Sequence, residues 1–113
     1  MDCIFCKIVS GEIKGDIVFD SDDVLAFRDL APQAPHHILI IPKKHLPTIS
    51  DFSADDALIF GLMGQAAKQI ALDLGVDEAG YRLVVNCREG AGQTVFHTHM
   101  HFMAGRGFSW PPG

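Results

Sequence analysis

Apolar residues recur with two different spacings along the chain, and each spacing predicts a different kind of element. Short runs rich in β-branched and aromatic residues, bounded by Asp, Pro or Gly, are typical of strands. Five such runs occur, at residues 16–20, 24–29, 37–41, 81–86 and 96–103. The acidic turn between the first two runs favours a hairpin.

Residues 54–74 change to a helical period and predict one long helix. Its apolar stripe is formed by Ile59, Leu62, Met63, Ala66, Ala67, Ile70, Ala71 and Leu74. Ser53 with Asp56 resembles a capping box at its start, and Gly75 lies where a C-terminal cap belongs. The opening residues 3–9 predict a short helix. Short strands with one long helix, and no repeat or linker, predict a single α+β domain over residues 1–113 with an antiparallel sheet.

The composition limits the partners and the location. The net charge is −5 and no run of lysine or arginine exceeds two, which argues against nucleic acid as a partner. Any bound phosphate must therefore be held mainly by neutral donors or by histidine. No eighteen apolar residues run together, so no membrane span is expected, and the first residues lack the pattern of a secretory leader. Three cysteines without such a leader predict a reducing compartment, the cytoplasm.

Three alternating histidines in the last predicted strand are the strongest chemical feature. Because side chains alternate across a strand, His97, His99 and His101 are expected on one face and the residues between them on the other. Burying several imidazoles without partners is costly. The pattern therefore indicates either a metal site or a site that binds and attacks an anion.

A cysteine pair near the N-terminus is the second chemical feature. Cys3 and Cys6 have the spacing at which two thiolates bind one zinc ion, and a redox pair is the rival explanation. The pair does not lie at a strand-to-helix turn, which favours the metal. Zinc takes four ligands, and His45 and His97 are the candidates for the third and fourth. We therefore predict a structural zinc site and no organic cofactor.

The histidine segment also resembles a known family signature. Residues 97–103, His-Thr-His-Met-His-Phe-Met, are similar to the His-φ-His-φ-His-φ-φ signature of the histidine triad (HIT) family, where φ is apolar and Thr98 is a mild departure. The similarity runs almost end to end. It includes 26–35, similar to the family's ribose-contacting segment, 37–45, similar to its central strand, and 84–86 with 92–95, similar to its phosphate-side loop. The terminal residues 105–106 and 110–113 resemble the Hint branch of the family.

The resemblance implies covalent catalysis by histidine. His99 would attack the α-phosphorus of a purine nucleoside 5′-phosphoramidate, such as adenosine 5′-monophosphoramidate or an AMP-lysine, and the amine would leave. Water would then free the nucleoside monophosphate from the nucleotidyl-histidine. His101 would donate to a phosphate oxygen and help to protonate the leaving amine, while His37 and His97 complete the histidine network.

The resemblance also implies a substrate-binding set for the purine nucleoside monophosphate. Asp29 would accept hydrogen bonds from both ribose hydroxyls, with Leu30 and Phe19 flanking the base. The expected phosphate contacts are Asn86, Gly92, Gln93, Thr94, His99 and His101. Thr94 stands where the Hint branch usually has serine, so its extra methyl group could alter the leaving-group geometry. Trp110 is expected in the same set, as the apolar anchor of a tail that reaches a neighbouring subunit.

The fold that the resemblance implies has a five-stranded antiparallel sheet, one long helix and a short N-terminal helix. Two protomers of such a fold would form a homodimer with a ten-stranded sheet. Other functions stay open. One is a dinucleoside polyphosphate hydrolase, against which residues 110–113 argue, and another is a nucleotidylyltransferase, although glutamine replaces the third histidine in the family's transferases. The third is a nucleotide- or zinc-binding interaction module with little turnover. A purely structural zinc domain would need all three triad histidines as ligands and would leave Asp29 and Asn86 unexplained.

Overall fold

Five antiparallel strands form one sheet, as the sequence predicts. The computed structural model describes residues 2–113. In chain order the elements are α1 (Ile4–Ser10), β1 (Ile17–Asp20), β2 (Val24–Arg28), β3 (His36–Pro42), α2 (Ala57–Leu74), β4 (Tyr81–Val85) and β5 (Met100–Ala104). The spatial order is β1-β2-β3-β5-β4, which places β3 at the centre and β1 and β4 at the two edges. The predicted α+β class, the five strands and both helices are confirmed.

The two faces of the sheet bury alternate residues of β3. Ile38 and Ile40 belong to the core cluster that includes the inward side of α2. Leu39 and Ile41 point the other way and pack in a cluster with Phe5 of α1. Burying one side chain of this size stabilises the fold by roughly 1.5–3 kcal/mol. One sheet face is therefore sealed by the long helix, while the short helix covers the other.

The long helix is fixed at both ends by the residues that the sequence singles out. The Ser53–Asp56 capping box is present, with the backbone N–H of Ser53 donating to the Asp56 carboxylate over 2.9 Å. A 3-10 turn, Ala54–Asp56, precedes the α-helix, which therefore starts three residues after the predicted position. Gly75 ends α2 with a φ of 70°, a left-handed conformation that glycine adopts without strain. Neither helix in residues 2–113 combines the length and hydropathy needed to cross a membrane.

The last strand begins later than the sequence predicts. Its pairing with β3 starts at Met100. Just before it, the backbone N–H and the hydroxyl of Thr98 both donate to the carbonyl oxygen of Leu46, at 2.7 and 2.8 Å. These bonds replace ladder hydrogen bonds, so the predicted strand 96–103 is wrong in its first four residues. His97 and His99 lie on a bent segment ahead of β5.

Candidate active site

A cavity of about 320 Å³ lies between α1 and the sheet. Its apolar walls are formed mainly by Ile4, Phe5, Ile8, Ile13, Phe27 and Leu39. Five of the predicted site residues also line it, namely Asp29, Leu30, Thr94, His99 and His101. An apolar cleft with a few convergent polar groups is the usual form of a small-molecule site.

The hydrogen bonds of His99 define which of its ring nitrogens carries the proton. Its Nδ1 lies 2.8 Å from the backbone carbonyl oxygen of His97. Because a carbonyl oxygen only accepts, Nδ1 must be the donor, and in the neutral ring Nε2 keeps its lone pair. The His99 side chain is buried, and the ring of Phe5 meets it edge-on with centroids 5.3 Å apart. In its neutral form, His99 is thus a fixed imidazole with its lone pair on Nε2.

His101 has the opposite tautomer, because a relay of hydrogen bonds determines it. The backbone N–H of Gln33 donates to His37 Nδ1 over 3.0 Å, so the proton of neutral His37 is on Nε2. His37 Nε2 in turn donates to His101 Nδ1 over 2.9 Å. His101 therefore carries its own proton on Nε2. Its ring is 5.0 Å from that of His99, between centroids, so a ring that donates through Nε2 is the neighbour of a ring whose neutral form has its lone pair on Nε2.

Burial keeps both relay histidines neutral. It is the main cause that lowers the pKa of His101 to about 4, and the neighbouring His99 and His37 rings add to the effect. Burial also lowers the pKa of His37, with the Asp29 carboxylate opposing it from 3.4 Å. At neutral pH both rings are therefore uncharged in the free protein, which the two tautomers require.

Asp29, His37 and His101 lie close enough together to suggest a metal-binding trio. The backbone excludes that role for neutral His37, because the Gln33 N–H already takes the Nδ1 lone pair and leaves the proton on Nε2. Binding a cation through Nε2 would require a fully deprotonated imidazole. The trio is a hydrogen-bond relay, in which Asp29 also accepts from the backbone N–H of Ala31 over 2.8 Å.

The remaining predicted binding residues are not all brought to the cavity. Phe19 packs against the core cluster on the α2 face. Gln93 is buried, and its amide is used up by backbone groups: it donates to the carbonyl oxygens of Pro47 and Val95 and accepts from the N–H of Arg88. Gln93 therefore fixes its loop, and its amide is not free to bind phosphate. Gly92 ends a 3-10 turn with φ of 94°.

Asn86 and Trp110 are not among the described residues, 2–113, that line the cavity. Asn86 is half-buried just after β4, one residue before Cys87. Trp110 is 83% exposed near the end of the chain. Both positions leave the side chains available to a ligand or a second subunit. The apolar wall supplied by α1 is what the sequence analysis missed, although Ile4 and Ile8 have the i, i+4 spacing of one helix face.

The second group of candidate residues forms a compact cluster on the far side of His97. The ligand atoms of Cys3, Cys6, His45 and His97 all lie within 4.8 Å of one another, and this group could bind a metal ion. His97 Nδ1 lies 3.3 Å from Cys3 Sγ, 3.6 Å from Cys6 Sγ and 3.2 Å from His45 Nδ1. In a tetrahedral zinc site the ligand atoms are about 3.3–3.8 Å apart, given the known bond lengths. The separations of these atoms fit that arrangement.

Proton positions in the cluster also fit a metal. His97 Nε2 lies 2.7 Å from the carbonyl oxygen of Pro42 and must donate to it, which leaves the Nδ1 lone pair toward the thiols. Burial lowers the pKa of His97 and keeps that nitrogen unprotonated. Burial raises the pKa of the Cys6 thiol, and the adjacent Cys3 thiol raises it further. A bound cation would stabilise the thiolates and so offset the two effects that raise the pKa of Cys6, burial and the adjacent Cys3 thiol.

Comparison with known proteins decides the family. The profile described as HIT domain matches residues 10–108. The chain belongs to the HIT domain family. It is 49% identical over 105 residues to the purine nucleoside phosphoramidase of Escherichia coli K12, covering 93% of this chain and 88% of that protein. It is also 49% identical over 112 residues to an uncharacterized HIT-like protein of Synechocystis, covering 99% of this chain and 97% of the other.

The HIT fold is confirmed by a solved structure. The crystal structure of a HIT family hydrolase from Legionella pneumophila superposes with a TM-score of 0.96 at 50% identity, covering 99% of this chain and 100% of that one. The family membership and the hydrolase relatives establish this HIT protein as a member of a hydrolase family. Cys3 and Cys6 precede the matched residues 10–108, whereas His45 and His97 lie within them.

Proposed function

We propose that this HIT protein hydrolyses purine nucleoside 5′-phosphoramidates through a nucleotidyl intermediate on His99. The observation that carries the proposal is the pair of opposite tautomers at the cavity, His99 with an Nε2 lone pair beside His101 with an Nε2–H. An attacking nitrogen next to a proton donor is what displacement of an amine from phosphorus requires. The similarity to a purine nucleoside phosphoramidase supports the same substrate class.

The cavity suits a nucleoside monophosphate. Its apolar walls would take the purine, between Ile8 of α1 and Phe27 of β2. Asp29 is positioned to accept from the ribose hydroxyls, since only one of its oxygens is used by the Ala31 N–H. The Thr94 hydroxyl and the Nε2–H of His101 would donate to phosphate oxygens. These donors are neutral, in keeping with the acidic net charge of −5.

The first chemical step breaks the P–N bond. The Nε2 lone pair of His99 attacks the α-phosphorus, and the bonding pair leaves with the amine. The amine takes a proton from a His101 ring that the bound phosphate has made cationic, so that a neutral His101 ring remains. The phosphorylated imidazole carries a positive charge that the His97 carbonyl stabilises through the Nδ1–H. In the second step water attacks the phosphorus, gives its proton back to His101, and the P–N bond electrons return to His99. Nucleoside monophosphate and free enzyme result.

His101 can transfer a proton only if the bound substrate first makes the His101 ring positively charged. The pKa of His101 is about 4 in the free protein, so the ring is neutral at pH 6. A phosphate anion against its Nε2–H favours the protonated ring, and such a charge raises a pKa by about 1–3 units. We therefore expect saturating AMP to raise the pKa of His101, measured by NMR titration of the imidazole nitrogens. Adenosine, which lacks the phosphate, is the control, and an equal shift with adenosine would contradict this role.

Turnover separates the proposed function from its alternatives. The native protein is expected to release AMP from adenosine 5′-phosphoramidate, and to act more slowly on a diadenosine polyphosphate, as followed by chromatography. Faster hydrolysis of the diadenosine polyphosphate would favour the dinucleoside hydrolase. Binding of AMP by calorimetry, together with no turnover of either compound, would favour a nucleotide-binding module.

We propose zinc as the ion at Cys3, Cys6, His45 and His97, in a structural role. Two thiolates and two imidazoles in a tetrahedral set are typical zinc ligands. All four ligands come from the protein, so no position is left for a substrate. The ion would connect α1 to the segment ahead of β5.

All three cysteines are free thiols, which supports a reducing compartment such as the cytoplasm.

A homodimer is proposed from the exposed edge of the sheet. β4 is an edge strand, and Leu83 at its middle is 40% exposed. An unpaired edge with an exposed apolar side chain is a template for pairing with another strand. Pairing of two β4 strands would form a ten-stranded sheet and could bring the partner's tail, with its exposed Trp110, toward the site. Sedimentation at micromolar concentration is expected to give twice the 12.3 kDa chain mass, and the chain mass itself would contradict the dimer.

A further inference from the structure

The C-terminal tail is hydrogen-bonded to the histidine relay through one residue of the loop before β3. Arg106 Nε donates to the carbonyl oxygen of Gln33 over 3.0 Å. The backbone N–H of that same Gln33 donates to His37 Nδ1 over 3.0 Å. His37 Nε2 then donates to His101 Nδ1 over 2.9 Å. An unbroken series of three hydrogen bonds thus runs from the tail to the proton donor.

A second contact packs the tail against the same loop. Gly105 has a φ of 98°, and a Cβ atom added there would lie 2.8 Å from Cβ of Pro35. Only glycine allows so close an approach in this backbone conformation. The loop is therefore held at two points, by packing at Pro35 and by the hydrogen bond at Gln33.

The Arg106 guanidinium is itself held in place before it meets the loop. It lies over the Phe108 ring, 4.3 Å from the centroid, and donates to the carbonyl oxygen of Gly107 over 2.9 Å. A planar guanidinium fixed by an aromatic face aims its Nε–H in one direction, which a flexible lysine does not do. Arg106 makes no ion pair within residues 2–113, so these contacts account for its orientation.

We propose that Arg106 is a positioning residue for His101, and this inference rests on the proposed function of that histidine. By holding the Gln33 carbonyl, Arg106 fixes the peptide on one side of the Gln33 Cα and so keeps the N–H on the other side aimed at His37 Nδ1. That N–H keeps the His37 proton on Nε2 and the His101 proton on Nε2. If the loop is released, His37 gains the alternative of a proton on Nδ1. His101 then loses the donor that specifies its tautomer, and fewer molecules present an N–H to the leaving amine.

The matched pair of variants is Arg106→Met and Arg82→Met. Arg82 lies over the same Phe108 ring, 5.2 Å from the centroid, and donates to the Ser109 carbonyl oxygen over 2.8 Å, so it holds the same tail. It makes no hydrogen bond to the loop at Gln33 within the described chain. Long-range ¹H–¹⁵N spectra distinguish protonated from unprotonated ring nitrogens. We expect Nε2–H for His37 and His101 in the native protein and in Arg82→Met, and mixed tautomers in Arg106→Met.

Kinetics gives a second readout that a merely structural role would not move. An alkylamine leaving from phosphorus needs a proton, whereas p-nitrophenolate does not. Arg106→Met is expected to lower kcat about fivefold for an adenosine 5′-phosphoramidate and less than about twofold for the p-nitrophenyl ester of AMP. Gly105→Ala, which displaces the loop at Pro35, is expected to shift the tautomers in the same direction as Arg106→Met.

Three results would overturn the proposal: unchanged tautomers in Arg106→Met, whatever Gly105→Ala shows; equal shifts in Arg106→Met and Arg82→Met; or native His37 protonated on Nδ1. The tautomers are measured without substrate. A native protein that shows the expected tautomers and no turnover would therefore refute the proposed function, and not the role of Arg106 in the relay.

Discussion

Replacing His99 by alanine is expected to lower kcat/KM for adenosine 5′-phosphoramidate by at least about 10⁴-fold, because no other group can form the covalent intermediate. The Nδ1–H bond to the His97 carbonyl leaves Nε2 of His99 as the unprotonated nitrogen at the cavity. His101 cannot substitute for it, since its Nε2 carries a proton. Steady-state release of AMP measures the effect.

The control for this prediction is a histidine outside the network. His36 begins β3, two residues before the buried Ile38 of the α2 face, and takes no part in the relay. His36→Gln is expected to keep turnover within about threefold of the native value. His99→Ala should still bind AMP, measured by calorimetry, because the purine walls and Asp29 are untouched. A His99→Ala protein that binds AMP and turns over at the native rate would contradict the covalent mechanism.

Removing the proposed zinc ion is expected to have the largest effect on the free energy of unfolding. A ligand present at about a thousand times its Kd adds about 4 kcal/mol to the free energy of unfolding, which corresponds to a fall in Tm of about 10 °C or more when it is lost. Bound to Cys3, Cys6, His45 and His97, the ion would connect α1 to the rest of the fold, so its loss would loosen the cavity wall that α1 supplies. Chelator-treated and untreated protein should differ by that amount in calorimetry.

Two cysteine variants sharpen the metal prediction. Cys3→Ser is expected to lose the ion and to melt at the temperature of chelated protein, with no further response to chelator. Cys87→Ser removes the thiol outside the cluster and is expected to retain one zinc per chain and the native Tm. Equal Tm values with and without chelator, in protein shown to contain zinc beforehand, would contradict a structural role for the ion.

Period and turn chemistry in the sequence were sufficient to predict most of the fold. The helical stripe of residues 54–74 and the Ser53–Asp56 box gave α2 to within one turn, because capping and amphipathicity are local properties. The start of β5 was not predictable in this way. Thr98 gives both of its donors to the carbonyl oxygen of Leu46, a partner 52 residues away that no local pattern reveals.

The candidate site likewise combines features that the sequence predicts with features that depend on distant partners. The histidines and Asp29 were identified from residue type and family resemblance, and the structure brings His37, His99, His101 and Asp29 together. The tautomers depend on the Gln33 N–H and the His97 carbonyl, which are backbone groups and carry no sequence signal. Gln93 shows the converse case: its amide suits a phosphate ligand by type, yet three backbone groups use it.

The most direct test of the account is the mass of the intact protein after mixing with an adenosine 5′-phosphoramidate and rapid quenching. The native chain is expected to gain one adenylyl group, and the His99→Ala chain is expected to gain none. Peptide mapping should place the group on His99. An adduct of equal yield in His99→Ala, or rapid AMP release by the native chain with no adduct at any quench time, would contradict nucleophilic catalysis by His99.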